Sequence, residues 1–187
     1  MKEMRNVITH IVSIFGAALI LLTACQEPAP QVPYNKIEKS QTESALMEMN
    51  RQFAAIEDSL VTAYVDSVQR ADQKTFTTTK TGLRYYIVWS GEGERAGEND
   101  DVTFRYTVRQ LDGTECDKLK DVVKTANLEK GELTRGMREA LRLLPVSGEG
   151  EFVMPSFLAY GVVGVPGCIP PWTPVSCQIS LLEVKKH

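Results

Sequence analysis

Histidine is nearly missing from this chain of 187 residues: only His10 and His187 carry an imidazole. Neither lies in the interior of the sequence, so catalysis by an internal histidine base is excluded, and with it a Ser-His-Asp arrangement. Cysteine is sparse too. Cys25, Cys116, Cys168 and Cys177 show no Cys-x-x-Cys spacing, and without an internal histidine no metal-ligand set is complete. Basic residues are not in excess: 21 Lys and Arg face 24 Asp and Glu, a net charge of −3. No basic patch interleaved with aromatics appears, which argues against a nucleic-acid partner. Nor is there a long apolar run. The stretch from Val7 to Leu22 is broken by Thr9, His10, Ser13 and Gly16, and falls short of the ~20 residues that a membrane span needs.

What that stretch does have is a basic flank, Lys2 and Arg5, and a close on Leu22-Thr23-Ala24-Cys25. A charged start, a short apolar run and small residues before a cleavage point describe a secretory signal peptide over 1–24. The final four residues resemble a bacterial lipobox, which implies that Cys25 is lipidated and begins the mature protein. Several acyl chains would hold it stably at a membrane, where one alone binds marginally. Gln26, rather than Asp, follows the cysteine. This favours the periplasmic face of an outer membrane in a cell that has two.

Residues 25–35 hold Pro28, Pro30 and Pro33 and read as an extended tether. No Gly or Pro occurs from Lys36 to Asp72. There Leu46, Met49, Phe53, Ile56, Leu60, Tyr64 and Val68 recur every three or four residues, one apolar face of an amphipathic helix. The spacing admits a homodimer through residues 46–68. It equally admits packing on the chain's own domain, the reading favoured by the thin seam at Ala54 and Ala55.

Beyond residue 76 the pattern changes to strands. Leu83–Trp89 and Val102–Leu111 alternate, Gly91-Glu92-Gly93 lies in the turn between them, and Asp112-Gly113 marks a hairpin. That Gly-x-Gly has no helix after it and is not a dinucleotide site. Leu133, Met137, Leu141 and Leu144 make a helical face that stops before Pro145. Glu151–Met154 and Val175–Val184 return as strands. The expected fold is α+β: an antiparallel β-sheet wrapped around one short α-helix, preceded by the amphipathic helix.

Five pieces in order then carry a resemblance. They are Gly91-Glu92-Gly93 with Gly97, Val102-Thr103-Phe104-Arg105-Tyr106, Asp112-Gly113 with Cys116-Asp117, Arg135-Gly136-Met137-Arg138-Glu139-Ala140-Leu141, and Leu158-Ala159-Tyr160-Gly161 with Gly164 and Ile169-Pro170-Pro171. Residues 76–187 resemble FKBP-type peptidyl-prolyl cis-trans isomerases, in a lipoprotein form. The resemblance implies a catalytic set of Tyr160, Asp117 and Tyr106, and a proline pocket formed by Leu133, Thr134, Met137, Val165, Ile169 and Cys177. Tyr160 OH and the N–H of Thr134 would hold substrate carbonyls. Proline-containing polypeptides are the implied partners, and no cofactor is needed. Prolyl isomerisation breaks no bond; its ~18–20 kcal/mol barrier is lost amide resonance. A dry pocket that binds the twisted amide best is enough.

The departures have consequences. Met137 stands where the family usually has tryptophan, Cys116 and Cys177 where it has phenylalanines, and Val165 at a position often histidine or aromatic. Each lost aromatic pair is worth ~0.5–1.5 kcal/mol beyond burial, so activity below that of a typical member is expected. The alternative is an FKBP-like chaperone or assembly lipoprotein that holds extended polypeptide without turnover. The same alignment sets Cys116 and Cys168 on opposite sides of the pocket mouth and Cys177 two strand spacings from Cys116. It thereby implies a Cys116–Cys168 disulfide with Cys177 free; three buried thiols remain the other reading.

Overall fold

The computed structural model describes residues 36–187, with side chains from residue 42 onward. The expected signal segment 1–24, the expected acylation site Cys25 and the expected tether 25–35 lie outside the described residues. By contacts residues 48–187 form one compact unit, and the sheet, the core and the site all lie in it.

Helix α1 spans Lys36–Asp72. Six strands come after it: β1 Thr77–Thr78, β2 Arg84–Trp89, β3 Asp101–Gln110, β4 Val122–Asn127, β5 Glu149–Met154 and β6 Val175–Lys185. They form one antiparallel sheet in the order β1-β2-β5-β6-β3-β4. Helix α2, Arg135–Leu143, lies between β4 and β5 in sequence. The α+β architecture expected from the sequence is therefore present.

Parity along each strand decides which side chains meet α2. Val102, Phe104 and Val108 of β3 point one way with Cys177, Ile179 and Leu181 of β6 and Phe152 and Met154 of β5. All are buried in one core with Met137, Ala140 and Leu141 of α2. Thr134 starts α2 as its N-cap, its hydroxyl accepting from Met137 N–H at 3.2 Å, which satisfies one of the donors a helix start leaves free. Pro145 comes after the last turn and cannot continue it. Gly136 permits the close fit of α2: a Cβ there would come within 2.7 Å of Met154 Sδ and 3.0 Å of Leu158 O.

The sheet's other face is covered as well. Val61 and Val65 of α1 are buried against Val153, with Tyr64, Phe76 and Leu111 alongside. This explains why Phe152, Val153 and Met154 are buried in succession although neighbours on a strand point to opposite sides. Polar links hold the same half of α1: Arg84 reaches Asp58 at 2.7 Å and Thr62 at 3.1 Å, and Tyr64 OH donates to Glu151 at 3.4 Å. The helix is there, but its apolar stripe is not what packs throughout. Tyr64 and Val68 are partly buried, whereas Met49, Phe53, Ile56 and Leu60 are exposed. Val61 and Val65, one step round the helix and four apart, make the dry contact because an i, i+4 pair fits over the single Val153.

Candidate functional site

Strand β3 supplies Tyr106, paired with Ile179 of β6 on one side and Val122 of β4 on the other. Its ring lies 5.5 Å from that of Phe104, a site neighbour that sequence reasoning misses although it stands two residues away on the same strand face. Strand β6 supplies Cys177 from the middle of the sheet, between Val108 and Phe152. Helix α2 supplies Met137, whose Sδ accepts from the Cys177 thiol at 3.7 Å. Both are buried, as is Ile169. Leu133, Tyr106, Tyr160 and Val165 pack against the same cluster and keep partial exposure. The structure thus gathers seven of the expected site residues, and Thr134 heads the helix beside them.

Tyr160 comes after a 3-10 turn, Ser156–Leu158, and begins the glycine/proline loop. That loop is tied to itself. Gly164 N–H donates to Tyr160 O at 3.1 Å, and Val165 and Ile169 exchange N–H to O bonds of 2.8 and 2.9 Å. Gly164 has φ +64°, and a Cβ there would strike the Ile169 carbonyl, so the turn demands glycine. Burial, then the nearby Cys177 and Tyr106, pushes the Tyr160 phenol well above its ordinary value of 10.0. Burial does the same to Tyr106, more mildly. Each hydroxyl is therefore a neutral donor at physiological pH, and neither has a hydrogen-bond partner among the described residues. Burial also raises the Cys177 thiol far above its ordinary value of 9.0; it is a small apolar filler rather than a nucleophile.

Asp117 is exposed at the start of the 3-10 turn Asp117–Leu119, and no hydrogen bond joins it to Tyr106 among the described residues. Its neighbour Cys116 is bonded to Cys168, with Cα atoms 5.2 Å apart, and Cys177 is the free, buried thiol. The sheet shows why the pairing excludes Cys177. Cys116 N–H donates to Val108 O at 3.4 Å, while Cys177 pairs with Val108 from the other side, so β3 stands between them. Two further contacts join the same segments: Gln110 Nε2 to Cys168 O at 3.1 Å and Lys118 Nζ to Pro166 O at 2.9 Å. Neither side chain belongs to a sequence pattern that would mark it.

A cleft of about 510 Å³ lies elsewhere, between α1 and the end of β3, lined by Leu60, Tyr64, Leu111 and Pro174 among others. It shares no lining residue with the Tyr160 cluster.

An antiparallel sheet packed on one helix brings two neutral phenols, Tyr106 and Tyr160, to an apolar cluster that holds Met137, Ile169 and Cys177. Residues 92–182 match the family model for FKBP-type peptidyl-prolyl cis-trans isomerases, and over that segment the chain is FKBP-like. It is 37% identical over 106 residues to the outer membrane protein MIP of Legionella longbeachae, covering 57% of this chain and 46% of that protein. It is 31% identical to the FKBP-type 22 kDa peptidyl-prolyl cis-trans isomerase of Escherichia coli K12, covering 62% and 56%. The matched segment spans about half the length of these relatives. Among solved structures, FkpA from Escherichia coli superposes with a TM-score of 0.59 at 25% identity, over 94% of this chain and 82% of that one.

Proposed function

We propose that this protein is a peptidyl-prolyl cis-trans isomerase of the cell envelope, anchored by lipid on Cys25, that assists the folding of exported proteins. The carrying observation is the pairing of two neutral phenols, Tyr160 and Tyr106, without a hydrogen-bond partner among the described residues, with a floor of Met137 and Cys177 and a wall at Ile169. A proline ring seats on that floor, and Tyr160 OH donates to a substrate carbonyl. The apolar surround shuts out the water that stabilises the planar, more polar amide. Thr134 N–H, at the head of α2, is the second donor. Asp117, exposed beside the disulfide, contacts the peptide at the rim.

The family match and the envelope relative support this reading. A protease-coupled assay with Xaa-Pro peptides, with and without a macrolide ligand of the family, tests it. Ligand-inhibited acceleration is the expected result. A second reading, a chaperone without turnover, is favoured by one observation: sulfur at Met137 and Cys177 replaces rings on the floor, so proline is gripped less firmly. Acylation of Cys25 is tested by mass spectrometry of the membrane-extracted protein, and a free or absent Cys25 removes the anchor. The exposed Met49, Ile56 and Leu60 leave a stripe for a second copy of the chain, and a monomer by light scattering at high concentration removes the dimer.

A further inference from the structure

Helix α1 is joined to the Tyr160 loop at two points as well as to the back of the sheet. The Glu57 carboxylate accepts from both Ser156 N–H and Ser156 Oγ, the latter at 3.0 Å. One turn earlier on the same helix face, Phe53 stacks on Trp172, with ring centroids 6.1 Å apart and planes within 11°. Both contacts lead to one residue. Ser156 O accepts from Gly161 N–H at 2.8 Å, and Gly161 O accepts from Trp172 N–H at 2.9 Å. Gly161 is the residue directly after Tyr160. Its two peptide groups are thus each held by a residue that α1 grips.

The backbone at Trp172 agrees. It has φ +56°, a left-handed conformation that a bulky residue keeps only where its surroundings hold it. Ser156 is 1% exposed, so its hydroxyl and N–H depend on protein partners in place of water.

We infer that Glu57 and Phe53 are positioning residues for Tyr160: the helical extension sets the orientation of the isomerase loop through Ser156, Trp172 and Gly161. The inference rests on the isomerase reading for its effect on rate, but not for its effect on the loop. A shift of about an ångström at a site can cost tenfold or more in rate, so this grip decides how Tyr160 meets substrate.

The test uses the full chain with E57A, E57Q, F53A and D58A, and reads two quantities: amide exchange at Ser156, Gly161 and Trp172, and kcat/KM on an Xaa-Pro peptide. E57A is expected to speed exchange at Ser156 and Gly161 about tenfold and to lower kcat/KM about tenfold. F53A is expected to act likewise at Trp172. E57Q restores both, because a glutamine amide still accepts from Ser156 N–H and donates to Ser156 Oγ. D58A breaks the Arg84 contact of the same helix, away from the loop, and leaves the loop amides and kcat/KM unchanged. Unchanged loop exchange in E57A and F53A overturns the inference, and so does a D58A variant as impaired as E57A. A wild-type chain with no isomerase activity sinks the functional reading alone, and exchange then decides the inference.

Discussion

Met137 and Cys177 meet Tyr160 and Ile169 in one cluster, yet the two pairs are fixed in different ways. The first pair sits on regular elements. Cys177 is held by ladders on both sides, and Met137 by a capped helix whose Gly136 lies against Met154. The second pair sits on a loop that belongs to none of the sheet's ladders. It is held by the Cys116–Cys168 bond, by its own turn bonds and by the side chains of Glu57 and Phe53. A floor built by burial should fail with the whole fold. A wall built by cross-links should loosen alone, leaving the fold behind.

The sharpest way to break the floor is Phe152→Ala. The side chain is fully buried beside Cys177, and truncation of a core phenylalanine costs about 3–5 kcal/mol. Denaturant melts are expected to show one cooperative transition at lower stability; loss of loop order alone would contradict the division. The wall is tested by replacing Cys116 and Cys168 with serine. The bond closes a sequence separation of 52 residues, and losing such a bond costs roughly 2–4 kcal/mol. Exchange in residues 161–171 is expected to rise more than in β5 or β6, and an even rise would erase the distinction.

Tyr160→Phe removes one donor and leaves the ring. Turnover is expected to fall by up to about tenfold, the worth of one hydrogen bond, with the melting temperature nearly constant. Asp117→Ala, at an exposed rim position, is expected to weaken peptide binding by less.

The smallest effect is on pH dependence. Cys177, Tyr160 and Tyr106 titrate higher in the fold than in the unfolded chain, chiefly through burial. Above about pH 9 the unfolded chain therefore holds fewer of these protons than the native state. Stability from these groups is fully present below about pH 9 and declines as pH rises through about 9 and then 10. A stability curve that stays level to about pH 11 would mean the three groups are not buried as described.

The two halves of the site also differ in how readable they are. Tyr106, Met137, Ile169 and Cys177 sit in strands, a helix and a loop whose patterns are local, and their family order gives them away. The Cys116–Cys168 pairing is implied by the same family order, and the position of β3 between Cys116 and Cys177 supplies its physical reason. Strand β4 escapes sequence reading because Val122–Asn127 is an edge strand with exposed Val123 and Thr125, so its alternation is weak. Asp117, named from the family order, is exposed beside the disulfide. The Glu57–Ser156 contact spans 99 positions, and no periodicity announces a contact of that kind. The helical stripe is legible as a helix, but which side packs depends on Val153, a residue far along the chain.

The most direct test of the central claim is the protease-coupled isomerisation assay on the folded chain and its Tyr160→Phe variant. The expected result is acceleration of Xaa-Pro isomerisation that a macrolide ligand suppresses and Tyr160→Phe reduces, with circular dichroism unchanged. A folded wild-type chain that gives no acceleration, or a Tyr160→Phe variant that equals it, would contradict the claim that this cluster is an isomerase site.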